Sequence, residues 1–170
     1  MRRYLLPVIL GSLLLLTACS APKPGVSAFT DGDSVRMEPL QYCDVQGTKC
    51  TQDGSAVGRL EAVPGKPVQI SVDGEISDAP WRVEYRMLDD AGNLSAACSP
   101  LYLPGQQFSY TVRPPQGQRL QLINVYQLGG RVTVGPGGVE FGVRGTWTAL
   151  TAPGAQLPKP GEALCPNASS

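Results

Sequence analysis

The sequence predicts an all-β domain, an antiparallel sandwich of the immunoglobulin or fibronectin III kind, and three observations carry that prediction. Apolar and polar residues alternate over short runs, the period of a strand with one buried face. Turn signals separate these runs at intervals of roughly ten residues. The 20 glycines and 16 prolines among 170 residues favour many short elements over long helices. A small closed barrel uses the same period-2 strands and is the alternative architecture.

The chain begins with the three-part layout of an export signal. Arg2 and Arg3 are basic, residues 5–16 are almost all apolar, and small residues precede Cys19. The apolar run is interrupted by Pro7, Gly11 and Ser12, and it falls short of the ~20 residues a spanning helix needs. Residues 1–18 are therefore expected to be a signal helix that is removed. Leu16-Thr17-Ala18-Cys19 is similar, position by position, to the bacterial lipobox. That resemblance implies a diacylglyceryl thioether on Cys19, a further acyl chain on its amine, and a mature protein anchored to the extracytoplasmic face of the cell membrane. Each buried methylene contributes about 0.8 kcal/mol, so two or three chains hold the protein firmly while its domain stays in water.

Residues 19–33 carry Pro22, Pro24, Gly25 and Gly32 with few large apolar side chains, the composition of a flexible linker. The domain is then expected over 34–150. Val35 and Met37 alternate with Arg36 and Glu38; further runs fall at 40–45, 57–63 and 68–72. The cleanest strand is 81–88, where Trp81, Val83, Tyr85 and Met87 share a core face and Arg82, Glu84 and Arg86 share a wet one. The run 89–93 closes it as a turn, and 89–106 and 129–138 read as exposed loops, with Tyr102, Leu103 and Phe108 adding apolar surface near the first. Strands follow at 108–112, 120–128 and 132–134, with Gly129-Gly130 turning between the last two. In the final strand Phe141, Val143, Trp147 and Ala149 lie opposite Glu140, Arg144, Thr146 and Thr148, and Gly145 marks a bulge or close packing. No helix-period segment is expected after Cys19, and residues 151–170 read as a Pro-rich tail.

Four cysteines remain beside the lipidated one, an even number that reads in an exported protein as two disulfides. Gly47 offers a turn between Cys43 and Cys50, which favours that pairing and leaves Cys98 with Cys165; the crossed pairings are the alternatives. Histidine is absent, which removes every Ser-His-Asp or Cys-His nucleophile system and every His-ligated metal. Loss of Arg2 and Arg3 with the signal leaves 12 basic against 14 acidic side chains, so the domain has no electrostatic footprint for nucleic acid.

The stretches Pro64-Gly-Lys-Pro-Val-Gln-Ile-Ser-Val72, Glu75-Ile-Ser-Asp-Ala-Pro-Trp81 and Tyr42-Cys43-Asp44-Val45, taken with the lipobox, resemble an uncharacterised family of actinobacterial envelope lipoproteins from mycobacteria and nocardiae, a domain of unknown function. The excess of ten Arg over four Lys suits a high-GC genome of that kind. The resemblance implies an envelope location and supplies no catalytic residue.

Three functions remain from different classes. The first is a non-enzymatic module that binds an envelope protein through loops or an edge strand. The second is a lipid or glycolipid carrier with a pocket between the sheets lined by Trp81, Tyr85 and Trp147. The third is a hydrolase built on paired carboxylates drawn from Asp73, Glu75, Asp78, Glu84, Asp89, Asp90 and Glu140. Ordinary turn chemistry accounts for Asp31-Gly32-Asp33 and for Asp89-Asp90 with Asn93, so no metal and no cofactor is assigned. The binding module is the expectation, with no enzymatic activity.

Overall fold

The structure is a computed structural model that describes residues 22–135 and 138–158, and for 130–141 the backbone only. Two sheets face one another across an apolar core, so the architecture is a β-sandwich and not a closed barrel. The smaller sheet holds β1 (Val26–Thr30), β2 (Asp33–Met37), β6 (Val68–Val72) and β9 (Ser109–Val112), in the order β2-β1-β6-β9. The larger sheet holds β3 (Gln41–Cys43), β4 (Cys50–Gln52), β7 (Trp81–Asp89), β8 (Leu94–Cys98), β10 (Gln118–Gly135) and β11 (Gly138–Leu150), in the order β4-β3-β11-β10-β7-β8. A short β5 (Val57–Arg59) runs parallel to β11 at Thr148, Ala149 and Leu150. One four-residue helix, α1 (Gly74–Ser77), is the only helix among the described residues; it turns the chain from one sheet into the other and buries Ile76.

The boundary between linker and domain is corrected. The domain begins at Val26, not at residue 34. Val26, Ala28 and Thr30 are buried while Ser27 is half-buried and Phe29 exposed, the alternation of a strand, and β1 pairs with both β2 and β6. The small side chains of this strand and its flanking prolines and glycines give it a linker's composition; its partners supply the hydrophobic contacts it lacks alone. Even the preceding residues are fixed. The buried indole Nε1 of Trp147 donates to the Pro24 carbonyl at 2.9 Å, and the Gly25 N–H donates to Asp73 Oδ2 at 2.8 Å.

Two other assignments change. Residues 94–98 form the edge strand β8 rather than part of a loop, paired with β7 from Glu84 to Leu88. The runs 120–128 and 132–134 are one strand, β10, because Gly129-Gly130 is absorbed as extra residues between Leu128 and Val132 instead of reversing the chain. A further bulge sits between Leu120 and Leu122 and flips the strand's faces. Leu120 joins Ile123 and Val125 in the core, while Leu122 is buried on the opposite side, in a recess with Arg86, Leu88, Leu94, Gln156 and Leu157. That outer side is drier than alternation predicts. Glu84, Asn124 and Thr148 are almost fully buried there, with Arg82 bonded to Glu84 at 2.6 Å and Thr148 to Asn124 at 2.8 Å.

Cys43 and Cys50 form the expected disulfide, closing the β3–β4 hairpin. Cys98 is also disulfide-bonded. Its assigned partner Cys165 lies outside the described residues, as do Cys19 and the signal segment.

Gly145 is the tightest point of the large sheet. A Cβ there would stand 2.5 Å from Cη2 of Trp147 and 3.1 Å from Cδ2 of Tyr42. Gly145→Ala is expected to cost about 1–3 kcal/mol through this overpacking. Urea unfolding checks it: the midpoint falls while the slope is unchanged.

Candidate functional site

Trp81 and Trp147, assigned above to a ligand pocket, are core residues with no exposed surface. Trp81 stacks on Tyr102 with ring centroids 5.0 Å apart and donates Nε1 to the Gln107 carbonyl; Trp147 meets Tyr42 edge-on at 6.0 Å. Tyr85 is half-buried beside Tyr110, at 6.4 Å. Packing and hydrogen bonding therefore consume both indoles, which corrects their assignment to a pocket. A domain of this size needs its largest apolar side chains as core.

The carboxylates are dispersed among separate donors. Asp73 takes Arg36 at 2.7 Å and the Gly25 N–H; Glu75 takes the Tyr42 hydroxyl at 2.6 Å; Asp89 takes the Asn93 backbone N–H at 2.7 Å and side-chain amide at 3.0 Å. Burial raises the Glu84 carboxyl against the opposing pull of Arg82. These are structural contacts, each explained by the element it fastens. Asp78 and Asp90 are exposed, and the side chain of Glu140 lies outside those described. Among the described residues no three His, Cys, Asp or Glu side chains gather into a metal-binding group.

Around Glu75 a small network joins α1 to the large sheet. Arg144 lies 5.1 Å over the Tyr42 ring, 3.6 Å from Glu75, and donates Nε to the Cys43 carbonyl. Burial, with the hydrogen bond to Glu75, pushes the Tyr42 hydroxyl up to about 12, so it remains a donor throughout the physiological range. Gln127, fully buried on β10, donates to the carbonyls of Glu75 and Ile76 and fixes the other side of the helix.

The surface best suited to recognition lies on the outer face of the small sheet. Phe29 is 51% exposed at a mid-strand position opposite Ser34 and Gln69. It borders a shallow depression of about 410 Å³ with Asp31, Lys66, Gln69, Thr111 and Arg113. An aromatic ring ringed by polar and basic groups is the composition of a binding hot spot. Sequence reasoning missed it because β1 was assigned to the linker; the alternation Val26, Ala28, Thr30 was the available signal.

The family model described as "Protein of unknown function (DUF2771)" matches residues 20–148. The chain belongs to that family. Uncharacterized proteins of Mycobacterium bovis and of Mycobacterium tuberculosis are each 32% identical to it over 115 residues, covering 68% of this chain and 68% of theirs. No solved structure matches it significantly. The matched span starts at residue 20, so the family unit includes β1 and the residues leading into it.

The Asp73 carboxyl is held below its ordinary range chiefly by the Arg36 hydrogen bond, with burial opposing and the Gly25 N–H assisting. A depressed folded value stabilises fully above the unfolded value of about 3.9 and is lost as pH falls through the folded one. Asp73→Asn is expected to be less stable than the parent at neutral pH, by at most about 1 kcal/mol because solvent screens the pair. Urea unfolding between pH 2 and 7 checks it: the two curves converge in acid.

Proposed function

We propose that this protein is a lipoprotein of the cell envelope, anchored through acylated Cys19 on the extracytoplasmic face of the membrane, and that it acts as a non-enzymatic module that binds another envelope protein. The observation that carries the binding reading is the half-exposed Phe29 at the centre of an otherwise polar sheet face. An isolated aromatic there lies outside the core, and covering its exposed half returns roughly 1 kcal/mol to a partner. Lys66 and Arg113 flank it against Asp31, so the rim carries a net positive charge and suits a partner with an acidic patch around an apolar pocket. The lipobox-like Leu16-Thr17-Ala18-Cys19 and the disulfide between Cys43 and Cys50 support the envelope location.

Two expected outcomes test this. Replacement of Cys19 by Ala abolishes globomycin-sensitive processing and detergent-phase partitioning; retention of both rejects the anchor. Phe29→Ser leaves the unfolding free energy from urea titration within about 0.5 kcal/mol of the parent, as an exposed position should. In crosslinked envelopes the same change removes a protein that the parent captures reproducibly. An unchanged capture pattern with an unchanged midpoint rejects this face as the docking surface.

A further inference from the structure

The end of the sandwich at which the chain joins it has an unusual surface. Five of the nine large apolar side chains exposed among the described residues lie there: Val45 beyond β3, Leu101, Leu103 and Phe108 in the segment between β8 and β9, and Val143 on β11. Contacts with elements of that end place them. The Trp81 N–H, at the start of β7, bonds the Tyr102 carbonyl; the Gly105 N–H bonds the Ser77 carbonyl in α1; the Val72 N–H bonds the Phe108 carbonyl.

The β10–β11 hairpin leaves by the same end. The Leu128 N–H bonds the Pro80 carbonyl at 2.7 Å, and β7 has begun by then. Beyond it, Val132 pairs with Phe141, Thr133 with Glu140, Val134 with Val139 and Gly135 with Gly138, and among the described residues no third strand flanks them.

The N-terminal chain arrives here too. Lys23 Nζ reaches Thr51 on β4 at 3.0 Å, and Pro24 is tied to Trp147. Cys19 stands five residues before Pro24, at most ~18 Å of extended chain. An anchor on that cysteine leaves this end little room to turn away from the bilayer.

We infer that this end of the sandwich, with its apolar rim, rests on the lipid surface into which Cys19 is anchored; the inference depends on the anchor proposed above. The short reach of chain between Cys19 and the first fixed residue selects lipid as the occupant over a protein. The charges at this end are mixed, Lys23, Lys49 and Arg144 against Asp44, Glu75 and Asp78, so apolar contact and not headgroup charge drives the seating. The Phe29 depression, with Asp31 and Lys66, lies toward the opposite end, clear of the membrane.

The experiment uses the mature acylated protein in phosphatidylcholine vesicles whose acyl chains are brominated, a short-range quencher of tryptophan. Leu103→Trp adds a reporter at the seated end, and Gln116→Trp adds one in the exposed turn before β10, beside Pro64, Gly65 and Asp90 at the far end. Trp81 and Trp147 contribute the same fully buried background to both. The expected result is loss of emission on bromination for Leu103→Trp and none for Gln116→Trp. Equal emission from the two in protein that floats with the vesicles overturns the seat alone, and an unquenched but blue-shifted Leu103→Trp signal does so by showing cover by protein. Failure of either variant to float, with an intact mass lacking acyl chains, overturns the anchor and the seat with it.

Discussion

The hydrogen bond from the Trp147 indole to the Pro24 carbonyl fixes where this domain begins. Both groups are buried, and leaving either unpaired costs about 1–3 kcal/mol, so the indole holds the N-terminal chain against the core. Once Pro24 is in place, Gly25 reaches Asp73, β1 enters between β2 and β6, and the small sheet acquires its central strand. The same indole lies above Gly145, where only a residue without a Cβ lets Tyr42 and Trp147 close on the sheet.

The second organising element is β10, which combines core, bulge and helix support in one strand. Its bulge at residue 121 changes which leucine enters the core, and Gln127 carries the strand's hydrogen bonding into α1. Its outer neighbours Asn124, Glu84 and Thr148 form a buried polar layer whose groups answer one another, as a low-dielectric setting requires. Burial of this layer gives the large sheet two dry faces over its central strands, while the small sheet keeps one face in water.

The asymmetry gives the proposed function its geometry. The end that receives the N-terminal chain gathers exposed apolar residues and the β10–β11 hairpin; the exposed sheet face, with Phe29, is set toward the other end. A short tether makes this polarity meaningful, because a domain on a long flexible linker samples every orientation. Pro24 is already fixed, ten residues nearer Cys19 than the boundary expected at residue 34, which alters the expected behaviour of the protein as well as its boundary.

The sequence by itself determined the sandwich class, the strand at Trp81, the Cys43–Cys50 hairpin and the family, because alternation, turn residues and cysteine spacing are local signals. Only the tertiary structure decided the role of 26–30, the continuity of β10 through Gly129-Gly130, the strand at 94–98 and the use of both tryptophans as core. Each of these depends on a partner distant in the chain. Ala28 and Ser27 are strand residues because β2 and β6 lie beside them, Leu122 turns outward because of a bulge that periodicity cannot register, and an indole is core or ligand site according to what surrounds it. The physical reason is that β structure is held by non-local pairing, so a strand's alternation is written in its own residues while its neighbours, register and exposed face are not.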